Sequence, residues 1–180
     1  GHGGSTITQQ VAKLLCLLQY ERKDETECRK ATIARKLMEI PFALAMEFKY
    51  SKAEILSIYL NRVYLGAGSY GFEAAAQRYF NKSAREVNLS ESAMLAGLLK
   101  APSRFAPTSN LSKATERASL VLRLMEKEGH INSLDRLSAE NLPAKLSTEA
   151  SQPVGSYFAN WIMGSAPKEL SSATSEDVII

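Results

Sequence analysis

The chain has 180 residues, 45% of them hydrophobic and 23% charged, with 10 Gly and 6 Pro, a composition that excludes disorder and collagen-like repeats and is long enough for one core. Twenty-two Lys and Arg against 19 Asp and Glu give a formal charge of +3, too small an excess to point to nucleic acid. The richest apolar run, Ile40 to Phe48, is broken by Glu47 and followed by Lys49 and Lys52, well short of a membrane span.

Elements follow in chain order. Ile7, Val11, Leu14, Leu15 and Leu18 recur at helical steps from Thr6 to about Leu18, and Thr6 with Gln9 makes a capping-box pattern. The charged stretch Tyr20 to Arg29 reads as a loop. A second helix carries Ile33, Leu37, Ile40, Leu44 and Phe48, with a kink expected at Pro41. Ser51 with Glu54 opens a third, expected to run through Ile55, Tyr59 and Val63 to the break at Gly66. We expect these three helices to pack together with Leu37, Leu44, Ile55 and Tyr59 buried, and Lys13 and Glu39 facing a common cleft.

Short helices follow over Phe72 to Phe80 and Leu89 to Leu99, the latter capped by Asn88 and Glu91. Pro102 to Asn110 is a loop, and a longer helix spans about Ser112 to Glu128 before Gly129. No strand pattern or repeat is visible. The fold class is therefore mainly α, with a domain over residues 1–137. Residues 138–180, rich in Ser, Ala and Pro, read as a partly ordered linker whose one apolar cluster includes Tyr157 and Trp161. With Gly at position 1 and no signal-peptide pattern, the chain reads as an internal fragment. Cys16 and Cys28 have no His at ligand spacing, which argues against zinc, and two unpaired thiols are the simpler reading over a disulfide.

Three places carry chemistry. Thr6, Gln9, Gln10 and Lys13 form one polar strip on the first helix, opposite its apolar stripe. A solvated face is the plain alternative, but Thr, Gln and Gln are unusual there, and the Gly3-Gly4 lead-in leaves helix-start N–H groups for an anion. Arg35 and Lys36 precede Glu39 by about one turn, either a weak surface ion pair or a carboxylate beside an anion-binding surface. Asn61 adjoins the apolar stripe of the third helix, where a half-buried amide would need partners.

Four segments together resemble a known family: GGSTITQQ (3–10) with Lys13, RKLME (35–39), KAEILSIYLNRVYLG (52–66) and ESAMLAGLLKAPSRFAP (91–107). In this order they look like consecutive signatures of the family 51 peptidoglycan glycosyltransferases, the glycosyltransferase domain of class A penicillin-binding proteins. The resemblance covers roughly residues 1–130. It implies a lysozyme-like helical domain at the periplasmic face of the bacterial inner membrane that polymerises lipid II. The 4-hydroxyl of the acceptor GlcNAc attacks C1 of the donor MurNAc, and undecaprenyl pyrophosphate leaves with inversion.

On this resemblance Glu39 corresponds to the second of the family's two glutamates, and Lys13, Arg35 and Lys36 suit a diphosphate, with Thr6, Gln9, Gln10 and Asn61 as further substrate-binding candidates. Implied partners are lipid II, the nascent glycan strand, a membrane surface and other cell-wall synthesis proteins. No cofactor is implied, and a divalent-metal requirement stays open. The motif bearing the first glutamate would lie upstream of Gly1, so this polypeptide alone is expected to be inactive. Ala31 stands where the family has an Arg, with Arg29 or Lys30 as substitutes, and Ala106 stands where it commonly has an Asn. A muramidase-type lytic enzyme fits less well, because adjacent cations would oppose the raised carboxyl pKa that general-acid work needs. A non-catalytic lipid II scaffold is the alternative from a different class.

Overall fold

The computed structural model describes residues 5–19 and 33–151, without the side chains of 16–19, 33–36, 38 and 151. The pairing of Cys16 and Cys28, the place of Ala31, the helix-start glycines Gly3 and Gly4 and the proposed linker from residue 152 all lie outside what is described. Eight α-helices are described: α1 (Ile7–Gln19), α2 (Ile33–Lys49), α3 (Lys52–Arg62), α4 (Phe72–Phe80), α5 (Leu89–Leu98), α6 (Pro102–Phe105), α7 (Leu111–Lys127) and α8 (Ser133–Asn141), followed by a 3-10 turn at Thr148–Ser151. Among the described residues the only β-type pairing is an isolated antiparallel bridge between Tyr64 and Tyr70.

Helix starts are specified locally. Thr6 N donates to Gln9 Oε1 and Gln9 N to Thr6 Oγ1, a reciprocal cap on α1. Ser51 with Glu54 and Asn88 with Glu91 do the same for α3 and α5. Hydrogen bonds from the Ser51 backbone and side chain hold the Glu54 carboxyl below its usual range. Helix α2 runs on through Pro41 without interruption, and Leu111–Lys127 ends just before Gly129, whose φ is +75°.

Among the described residues two apolar clusters form the interior. The smaller joins Val11 and Ala12 of α1, Met46 of α2, and Ile55 and Tyr59 of α3, so the three helices pack together as expected. The larger is built around α5, which is buried almost all round, and takes in Tyr79, Phe80, Met94, Leu98, Leu122 and Ala139. Gly97 permits this, since a Cβ there would stand 3.0 Å from Arg117 Cγ of α7. Val63 and Leu99 pack against both clusters.

Four expectations need correction. Ile55 and Tyr59 are buried, but Leu37 and Leu44 are 61% and 66% exposed, because α2 has apolar residues on two sides and packs through Ala43 and Met46. Leu37, Ile40, Leu44 and the 96% exposed Phe48 instead form an outward stripe. The third helix stops at Arg62 rather than at Gly66, because Val63 turns extended and Gly71 N bonds Val63 O while Leu65 N bonds Ser69 O. The expected loop after Pro102 contains the one-turn α6. The expected boundary at residue 137 falls inside α8, Ala139 of that helix and Ala144 beyond it belong to the larger cluster, and the compact unit runs to Ala150.

The turn between α3 and α4 is locked by Tyr79, whose buried hydroxyl donates to Leu65 O at 2.9 Å and whose pKa burial pushes up to about 12. Tyr79→Phe should cost about 1–3 kcal/mol, since the Leu65 carbonyl loses its buried partner while the ring stays packed. Urea unfolding monitored by circular dichroism checks this.

Candidate functional site

The polar strip sits on α1 and Glu39 sits on α2, two helices packed against each other. Lys13 and Glu39 are both half-buried and both engaged with other groups. Thr6 lies exposed at the helix start and Gln9 beside it, each occupied by the reciprocal cap. Arg35 and Lys36 fall one turn before Glu39 on α2, with their side chains outside the described residues.

Gln10 has a role that periodicity alone did not suggest. Its Nε2 donates to Ser5 O at 3.3 Å, and its Oε1 accepts from the Tyr59 hydroxyl at 3.0 Å. A backbone carbonyl only accepts, so the amide nitrogen must face Ser5 and the amide oxygen must face Tyr59. Burial raises the Tyr59 pKa, which keeps its hydroxyl protonated as the donor.

Thr8 is the residue that sequence reasoning passed over. It is 4% exposed, and its hydroxyl donates to Glu47 Oε1 at 2.6 Å. Glu47 Oε2 also pairs with Lys52 at the start of α3. The Lys52 ammonium first, and then Thr8, hold the Glu47 carboxyl below its ordinary range. One signal was available: Thr8, Val11, Ala12 and Leu15 share a helix face, and a hydroxyl on an apolar face needs a partner.

Asn61 does not join the strip. It is exposed, and its amide donates to Ser57 O at 2.8 Å on its own helix, so the expected half-buried amide in need of partners is not what forms. Its backbone matters more than its side chain: an added Cβ at Gly71 would stand 2.6 Å from Asn61 O. Among the described residues no group of His, Cys, Asp and Glu is placed to hold a metal ion, and no helix is long and apolar enough to cross a membrane.

Comparison with known proteins agrees with the motif order. The family described as Transglycosylase matches residues 1–126. Penicillin-binding protein 1A of Aquifex aeolicus is 40% identical over 89% of this chain and 21% of its own length. Penicillin-binding protein 1A of Pseudomonas aeruginosa is 41% identical over 84% of this chain and 17% of its own. The crystal structure of penicillin-binding protein 1A from Haemophilus influenzae matches with a TM-score of 0.50 and 29% identity, covering 86% of this chain and 19% of that one. The chain thus spans about a fifth of the length of these relatives. With the helix that carries the strip packed on the helix that carries Glu39, and a family match running from residue 1 to residue 126, the chain belongs to the transglycosylase family.

Proposed function

We propose that residues 1–150 form the larger part of a peptidoglycan glycosyltransferase domain that polymerises lipid II at the outer face of the bacterial cytoplasmic membrane. The observation that carries this reading is the packing of α1, which bears the Thr6–Lys13 strip, against α2, which bears Glu39. The acceptor 4-hydroxyl forms a new glycosidic bond to C1 of the donor, its proton passes to a base, and the C1–O bond breaks to release undecaprenyl pyrophosphate. Positive charge grows at the donor ring as that bond lengthens, which Glu39 opposes with its own charge. Lys13, Arg35 and Lys36 receive the departing diphosphate, with Thr6, Gln9 and Gln10 contributing polar groups at the start of α1. Asn61, exposed near the end of α3, is a further substrate-binding candidate.

The outward stripe of Leu37, Ile40, Leu44 and Phe48 shares its helix with Glu39, which supports a substrate carried on a polyprenyl tail and a lipid surface as neighbour. The glycan strand is the second partner. Relatives named penicillin-binding proteins support synthesis of strands over their cleavage.

The test is polymerisation of lipid II in detergent by the full-length parent protein that also carries the first glutamate, read as glycan strands on a gel. Absence of strands from a folded preparation would end this reading. The anion site has its own test, binding of a phosphoglycolipid of the moenomycin type. Lys13→Ala and Arg35→Ala should each weaken it by ~1.5–3 kcal/mol, the worth of a charge-assisted hydrogen bond. Lys127→Ala, at the far end of α7, should leave affinity unchanged. Equal losses at Lys127 and Lys13 would mean diffuse attraction with no localised phosphate site.

A further inference from the structure

We propose that Glu47 is a positioning residue for the α1 strip, fixing through Thr8 where Lys13 stands relative to Glu39. This rests on the glycosyltransferase reading above. Three helices meet at this one carboxylate: α2 carries it, Thr8 of α1 donates to Oε1 at 2.6 Å, and Lys52 of α3 pairs with Oε2.

The geometry of helices explains why one bond here has leverage. Glu47 and Glu39 are eight residues apart on α2, about 12 Å along the axis, and Thr8 and Lys13 are five apart on α1, about 7.5 Å. A hydrogen bond that tolerates only a few tenths of an ångström therefore sets how far α1 can slide along α2. The apolar contacts of Val11, Ala12 and Met46 are non-directional and do not fix that coordinate as tightly. Tyr59 acts on the same helix one step further along, holding Gln10 against α3. Thr8 is buried, so losing Glu47 strands its hydroxyl, and the helix gains by shifting to satisfy it.

The experiment compares Thr8→Val, Glu47→Ala, Glu47→Gln and the Thr8→Val/Glu47→Ala double variant with the full-length parent chain. Steady-state synthesis from lipid II in detergent, thermal melts and amide hydrogen exchange are read on each. We expect kcat to fall about tenfold or more in Thr8→Val and Glu47→Ala with KM changed less than about twofold, the pattern of a misplaced catalytic constellation. The double variant should be no worse than the weaker single, since both remove the same bond. Glu47→Gln should recover part of the rate, because its amide oxygen still accepts from Thr8. A lower melting temperature with kcat within about twofold of the parent would overturn the proposal and leave Glu47 a purely structural tie. Thr8→Val decides the matter if Glu47→Ala does not fold. If the parent itself makes no strands, the functional reading fails separately. Hydrogen exchange then decides: faster exchange along α1 with α5 unchanged supports the anchoring role, and unchanged exchange along α1 removes it.

Discussion

Glu39→Gln in the full-length parent protein should lower lipid II polymerisation by about a hundredfold to a thousandfold, with the melting temperature moved little. The amide has nearly the same shape, and Glu39 is half-buried on α2, so packing is largely kept. What disappears is a full negative charge at the point where the donor ring loses its diphosphate. A gel-based strand assay together with a thermal melt separates loss of chemistry from loss of fold. Near-parental synthesis would reduce Glu39 to an ion-pair partner of Arg35, worth a few tenths of a kcal/mol at such a surface.

The second large effect concerns stability. Gly71→Ala should destabilise the domain by roughly 3–4 kcal/mol, combining left-handed backbone strain with a clash that side-chain rotation cannot relieve. Gly71 has φ +88°, and the first atoms an added Cβ meets are the Asn61 carbonyl oxygen at 2.6 Å and carbon at 2.9 Å, both backbone. Relief would require pulling the end of α3 away from the turn, which would break the Gly71 N to Val63 O bond. Gly129→Ala is the internal control: its φ is +75° but open space surrounds it, so only the conformational cost of about 1–2 kcal/mol applies. Denaturant midpoints for the two variants measure the difference, and equal losses would show that the Asn61 contact costs nothing.

Helix starts were readable in the sequence because their determinants sit within four residues of each other. Thr6 with Gln9, Ser51 with Glu54 and Asn88 with Glu91 each form the reciprocal cap their spacing implies. Which face of a helix turns inward was less readable where both faces are apolar. On α2 the longer stripe, Leu37 to Phe48, points outward, and the small Ala43 with the flexible Met46 makes the contact. Helix α8 was missed because Leu134 and Leu137 stay exposed and Ala139 alone is buried, so no apolar period announces it. At the site, the strip on α1 was visible from residue types and spacing. Its support was not, because Thr8 and Glu47 are 39 positions apart in the chain and Gln10 and Tyr59 are 49 apart. Asn61 misled for the opposite reason: its partner is one turn back on its own helix.

The local caps and the two unequal clusters together order events during synthesis. A chain leaving the ribosome presents its N-terminal residues first. The starts of α1 and α3 are specified as soon as a handful of residues has emerged, before any partner helix exists. The smaller cluster can close once Tyr59 is free, whereas the larger one waits for Leu122, Ala139 and Ala144, about eighty residues later. Until then Tyr79, Phe80, Met94 and Leu98, which the larger cluster buries, are uncovered on the nascent chain, and that interval is when chaperone contact matters most.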